Sequence, residues 1–182
     1  MAKSLISIQD FTKEEILHIL ETAKEFEQNP VQDFLTGKVI ASLFFEPSTR
    51  TRLSFETAVN RLGARVIGFS DASCSSASKG ESMADTAKML SCYADIMAIR
   101  HPREGAPYVA SNNATVPVIN AGDGGHNHPT QTLADLLTIW REKGRFNNLT
   151  VGFCGDLKFG RTVHSLISAL SRYTGIKIVL IS

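Results

Sequence analysis

The sequence predicts an α/β fold, a parallel sheet flanked by helices followed by the start of a second α/β unit, on three observations. Short apolar runs bounded by turn residues, at 38–45, 94–99 and 116–121, alternate with longer stretches whose apolar residues recur at helical spacing. The second run leads into Arg100, the third into Gly122 and the first into the turn at 46–50, all at the carboxyl ends of strands, where ligands bind in open parallel sheets. The chain has 182 residues and 43% hydrophobic content, enough apolar material for a sizeable core.

A formal net charge of +1 does not suggest a nucleic-acid partner. No window approaches the roughly 18 uninterrupted apolar residues of a membrane span, and the first residues lack a basic-then-apolar signal segment. A cytoplasmic protein without a membrane partner is the expectation. Cys74, Cys92 and Cys154 are odd in number, scattered and outside any Cys-x-x-Cys pair, so neither a disulfide framework nor a zinc site is indicated. They are expected to be small core or loop residues, with Cys74 an accessible thiol.

The stretch 8–29 reads as a helix capped by Asp10 or Thr12, with Ile16, Leu17, Ile19 and Leu20 at helical spacing. The run 38–45 reads as a buried strand, and Phe55, Ala58, Val59 and Leu62 mark the helix after it. Ser48 is the candidate N-cap between them, its hydroxyl placed to accept a bond from a first-turn amide. The first turn of this helix carries Arg50 and Arg52 and no acid, although free amides already make that end positive. A phosphate dianion would resolve the excess, since helix-start amides, hydroxyls and a guanidinium fork together suit its oxygens. Each Arg–phosphate pair at about 4 Å would contribute roughly 4 kcal/mol before desolvation. The residues alone also allow a surface turn whose arginines point into solvent.

Further strands are expected at 65–70, 94–99, 116–121, 149–154 and 177–182, with a helix over 82–91 between the first two. Residues 71–82, small and polar without periodicity, read as a loop with a single cation, Lys79. A solvated linker is the plain alternative for it. Arg100 follows the strand at 94–99, so that Arg100 and the turn at 48–50 face one crevice. His101 is expected to be held by the bend at Pro102. After the strand at 116–121 come several glycines and then Pro129 at the first position of a helix with Leu133, Leu136, Leu137 and Trp140 on one face. His128 thereby sits at a positive helix end, which disfavours imidazolium and leaves a neutral N–H donor, although a histidine before proline is also a common capping residue. Residues 144–148 read as a connection. The glycines of 155–160 lack Gly-x-Gly-x-x-Gly, which sets a dinucleotide site aside. The helix that follows has Val163, Leu166, Ile167 and Leu170 on one face.

Phe44-Phe45-Glu46-Pro47-Ser48-Thr49-Arg50-Thr51-Arg52-Leu53-Ser54-Phe55-Glu56 resembles the carbamoyl-phosphate signature of the carbamoyltransferase family, in the form of its aspartate-specific members. Ornithine-specific members share Ser-Thr-Arg-Thr-Arg but usually carry a lysine where this chain has Glu46-Pro47. His128-Pro129-Thr130-Gln131 is similar to the family's second signature, and Gly155-Asp156-Leu157-Lys158-Phe159-Gly160-Arg161 to the start of its aspartate-binding domain, with Phe159 where the family often has tyrosine. The resemblance runs through the whole chain. It implies a carbamoyl-phosphate domain with linking helix over 1–143 and an incomplete aspartate-binding domain over 148–182. A family member continues beyond the position of Ser182, so a fragment is expected.

By the same resemblance Ser48, Thr49, Arg50, Thr51, Arg100, His128 and Gln131 hold carbamoyl phosphate, and Arg50, Thr51, Arg100 and His128 act in catalysis. Ser75 and Lys79 enter the site of a neighbouring subunit in a homotrimer, and Lys79 and Arg161 meet L-aspartate. The implied activity is transfer of the carbamoyl group to the α-amine of L-aspartate in pyrimidine biosynthesis, without cofactor or metal. A regulatory chain is a possible partner. Two alternatives stand beside it: a catalytically silent carbamoyl-phosphate-binding or assembly fragment, and transfer to ornithine or another amine, which Glu46-Pro47 and Thr130 oppose.

Overall fold

Strands and helices alternate along the chain in a computed structural model that describes residues 3–158 and 160–182. Ser7 caps a 3₁₀ turn, Ile8–Asp10, in a reciprocal box with Asp10. Thr12, not Asp10, then caps α1 (Lys13–Gln28), in a second such box with Glu15. Of the four apolar residues expected on one face, Ile16 and Leu20 are buried, while Leu17 is exposed. Then follow β1 (Val39–Phe44), α2 (Thr49–Arg61), β2 (Arg65–Phe69), α3 (Met83–Leu90), β3 (Ile96–His101) and α4 (Ala106–Asn113). The rest comprises β4 (Val118–Asp123), α5 (Pro129–Lys143), β5 (Thr150–Cys154), α6 (Arg161–Leu170) and β6 (Lys177–Ile181).

β1 to β4 form one parallel sheet in the order β2-β1-β3-β4. The chain leaves β1 toward one side to build β2 and returns to the other side for β3, so the order reverses between β1 and β3. That is where ligands sit in open α/β sheets. Leu5 extends the β4 edge: its N–H donates to the Val118 carbonyl at 2.9 Å, and Asn120 N–H donates to the Leu5 carbonyl at 2.8 Å. One core, with Leu43, Met97, Ile99, Ala110 and Val118, lies between the sheet and its helices. A second joins Ile8, Ile16, Leu20 and Leu136 to Phe153, Leu166 and Leu170. Fully burying a side chain such as Leu20, Leu136 or Leu170 contributes about 1.5–3 kcal/mol. β5 and β6, a parallel pair, are therefore anchored through α6 to α1 and α5, while Leu180 and Ile181 at the end of β6 stay exposed. The Arg172 guanidinium, just beyond α6, reinforces that anchor by donating to the Ile8 and Phe11 carbonyls.

Several expectations require correction. α4 has no counterpart in the sequence reading; Gly105 in the left-handed region starts it and Pro107 sits in its first turn. β3 and β4 each lie about two residues further on than expected, because Arg100, His101 and Asp123 still pair within the sheet. The loop 71–82 contains two 3₁₀ turns, Ala72–Cys74 and Ser76–Lys79, capped by the Asp71 and Ser75 side chains. Ala58 is exposed and α2 buries only Val59 fully, because its other faces border open grooves. All three cysteines are exposed: Cys74 and Cys92 lie in the loop and turn segments the sequence allowed, while Cys154 ends β5 outside the core. Among the described residues no helix is long and apolar enough to cross a membrane.

Candidate active site

A crevice of about 980 Å³ opens at the switch point. The turn after β1 supplies Ser48, Thr49, Arg50 and Thr51, β3 supplies Arg100, the start of α5 supplies His128 and Gln131, and the start of α6 supplies Arg161. Eight of the ten expected site residues thus share one space. Ser75 and Lys79 do not line it. The Ser75 hydroxyl is spent within its own loop, donating to the Ala72 carbonyl at 2.8 Å and accepting from Ala77 N–H at 3.3 Å, and Lys79 is exposed. Phe159 lies outside the described residues.

Ser48 occupies the N-cap position with extended backbone, but its side chain makes no cap hydrogen bond. The expected hydroxyl-to-amide bond is therefore absent among the described residues, which leaves hydroxyl and first-turn amides for a ligand. No acid sits in that turn. Arg52 instead lies 3.6 Å from Glu56, one turn on, and Glu56 also accepts from the buried Ser42 hydroxyl of β1 at 3.2 Å. The first arginine of the pair faces the crevice, and the second ties the helix to itself.

Arg100 brings a largely buried positive charge to the crevice. Its Nε lies 2.7 Å from Glu46 Oε1, with side chains 13% and 26% exposed. The approach is off the N–H axis, so these two buried atoms form an ion pair without a directed hydrogen bond. Arg100 Nη1 donates to the Ala121 carbonyl at 3.3 Å. Glu46, read from the sequence only as a family discriminator, is thus a charge partner of the site, a role no periodicity reveals. Arg161 reaches across from α6 and donates to the Gly124 carbonyl. Burial first, and then the neighbouring Arg100, lower its pKa.

His128 is 7% exposed, and Thr130 Oγ1 lies 3.3 Å from its Nδ1. Burial first, then Arg161 and Arg100, push its pKa down to about 4. The neutral imidazole expected from the sequence is present, and desolvation and two guanidiniums keep it so. Gln131 lines the crevice, with its amide turned to Asp135 at 2.9 Å. His101, by contrast, packs its ring 4.9 Å from Phe45 and accepts from Arg103 N–H at 2.9 Å, as a structural residue of the bend.

The low His128 value has a stability consequence. The group is neutral in both states above the unfolded value of 6.5, so it contributes no pH dependence there. As pH falls from 6.5 toward 4 the unfolded chain takes up a proton that the folded chain refuses, and stability declines by up to about 3 kcal/mol. Thermal melts across pH 8 to 4 are expected to show this decline, and His128→Asn to flatten part of it.

The family described as "Aspartate/ornithine carbamoyltransferase, carbamoyl-P binding domain" matches residues 3–141. A curated relative, the aspartate carbamoyltransferase catalytic subunit of Lachnoclostridium phytofermentans, is 62% identical over 182 residues, covering 99% of this chain and 59% of its own. The catalytic subunit of M. jannaschii aspartate transcarbamoylase superposes with a TM-score of 0.91 at 52% identity, over 98% of this chain and 60% of that one. Trypanosoma cruzi aspartate transcarbamoylase, crystallised with carbamoyl phosphate and aspartate, gives 0.87 at 41% identity, over 97% and 60%. The chain spans about 60% of the length of the relatives it matches.

Proposed function

We propose that this chain, which belongs to the aspartate/ornithine carbamoyltransferase family, forms the carbamoyl-phosphate half of an enzyme that carbamoylates the α-amine of L-aspartate. The observation that carries the reading is the single crevice into which a bare helix start, Arg100, neutral His128 and Arg161 all project. In the proposed reaction the amine nitrogen attacks the carbamoyl carbon, the C–N bond forms, and the C–O bond to phosphate breaks with its electron pair leaving on phosphate. The nitrogen's surplus proton is lost, and the products are N-carbamoyl-L-aspartate and phosphate.

Thr51, Arg100 and neutral His128 stabilise the carbonyl oxygen as charge grows on it. Ser48, Thr49 and Arg50 hold the departing phosphate, Gln131 meets the carbamoyl amide, and Arg161 takes an aspartate carboxylate. Arg161 gives up nothing irreplaceable to do so, since its contact with Gly124 is to a neutral carbonyl. Glu46 makes room in the same way, because a dianion is a stronger partner for Arg100 than one carboxylate met off-axis. Positioning and preorganised charge supply the acceleration.

Residues 1–143 form the carbamoyl-phosphate domain in this proposal, and 148–182 begin the aspartate domain. The exposure of Lys79, and the position of both Ser75 and Lys79 outside this chain's own crevice, support their entry into a neighbouring subunit's site in a homotrimer. The relatives' description as catalytic subunits supports a regulatory chain as a further partner, and the proposed role in pyrimidine biosynthesis suits a cytoplasmic enzyme. Calorimetry with carbamoyl phosphate, together with an assay for carbamoyl aspartate on the whole protein, tests the reading. Binding and transfer are both expected; binding without transfer would favour a silent binding module, and neither would reject the assignment.

A further inference from the structure

Strands β3 and β4 pair in register from Met97–Val118 to Ile99–Asn120 and resume at His101–Asp123. Two residues of β4, Ala121 and Gly122, therefore oppose Arg100 alone, a β-bulge of the kind that re-aims side chains beside functional sites. Gly122 adopts φ +119° there, and a methyl group on it would lie 3.1 Å from Arg100 Nη1, 3.3 Å from His128 Cδ2 and 3.5 Å from Arg161 Cζ. Three side chains of the crevice rest on this one glycine.

Behind the bulge lies a pair of buried polar side chains that the proposed chemistry does not use. Asn120, fully buried, accepts from Gly122 N–H at 2.8 Å and donates to the Ile6 carbonyl at 3.0 Å and to Asp123 Oδ1 at 3.1 Å. Asp123, 2% exposed, also accepts from Asn127 N–H at 2.8 Å and from Gly105 N–H at 2.9 Å, and lies 3.3 Å from His126 Nδ1. Its own backbone N–H donates to the Asn127 carbonyl, one residue before His128. A buried amide and carboxylate with their partners this fully met fix the backbone around them. Neither residue lines the crevice.

We propose that Asn120 and Asp123 are positioning residues of the carbamoyl-phosphate site: they lock the β4 bulge and, through Gly122 and the loop to His128, hold Arg100, His128 and Arg161 around one point. The inference rests on the functional reading above. It differs in sign from a simple charge role. If Asp123 acted only as a negative charge near two guanidiniums, neutralising it would make the crevice more positive and tighten its grip on a dianion.

The test compares whole wild-type protein with Asp123→Asn, Asn120→Ala and Gly122→Ala, by calorimetry with carbamoyl phosphate and inorganic phosphate and by steady-state kinetics, after circular dichroism has established folding. Each folded variant is expected to bind both ligands at least tenfold more weakly, with kcat lowered as well. Gly122→Ala perturbs the bulge from the crevice side and leaves the buried pair intact, so it carries the test if the other two fail to fold. Wild-type affinity in folded Gly122→Ala, or affinity in Asp123→Asn equal to or tighter than wild type, would overturn the proposal. Wild-type protein that binds neither ligand would instead reject the functional reading on which it stands.

Discussion

Replacing His128 with alanine is expected to lower the turnover of the whole enzyme by about 10²–10³-fold, the usual loss when one donor to a developing oxyanion is removed. The KM for carbamoyl phosphate is expected to change little, because the phosphate end of the ligand is held by the start of α2 and by Arg100. The imidazole suits this role because it is neutral at working pH. An imidazolium beside Arg100 and Arg161 would be a third positive charge in a buried space, and burial with those two guanidiniums is what holds its pKa near 4. Steady-state kinetics on His128→Ala and His128→Asn measure the effect, with partial recovery expected for asparagine, which keeps an N–H donor. Turnover within threefold of wild type in both variants would remove His128 from the mechanism.

The largest stability loss is expected at Gly68, which does not line the crevice. This residue pairs with Ser42 in the β1–β2 ladder at φ +149°, and a methyl group there would sit 1.9 Å from the Ser42 carbonyl oxygen. Backbone cannot swing aside as a flexible side chain does, so β2 must pull away from β1. Gly68→Ala is accordingly expected to cost on the order of 3–5 kcal/mol, in the range reserved for a named packing failure. Thermal melts should fall by about 10 °C or more. Gly37 provides the contrast: its φ is +83° but nothing lies within 4 Å of its added methyl. Only left-handed strain of about 1 kcal/mol is expected from Gly37→Ala.

These cases mark what could be read before any coordinates. Strands and helices with strong periodicity, such as β1, α1 and α5, were legible, as was the bare cationic start of α2, because spacing and capping act locally. α4 was not, since Ala106-Pro107-Tyr108-Val109-Ala110-Ser111-Asn112-Asn113 lacks a marked apolar stripe and its burial against α3 and the sheet comes from tertiary contact. The site residues carried by short motifs were legible too, and eight of them meet in one crevice. Glu46, Asn120 and Asp123 were not legible as its supports. Each has a partner distant in the chain, 18 residues away for Asp123–Gly105 and 114 for Asn120–Ile6, and single-sequence spacing is blind to such pairs.

The pairing of Leu5 with β4 sets an order of events during synthesis. The segment around Leu5 is made well before its partner at 118–120, since Ser4 and Val118 are 114 positions apart. At elongation rates of about 5–20 residues per second the interval lasts roughly 6–23 seconds. Until then Leu5 has no strand to pair with, and the outer edge of β4 closes only when the last-made part of the sheet meets this earlier segment.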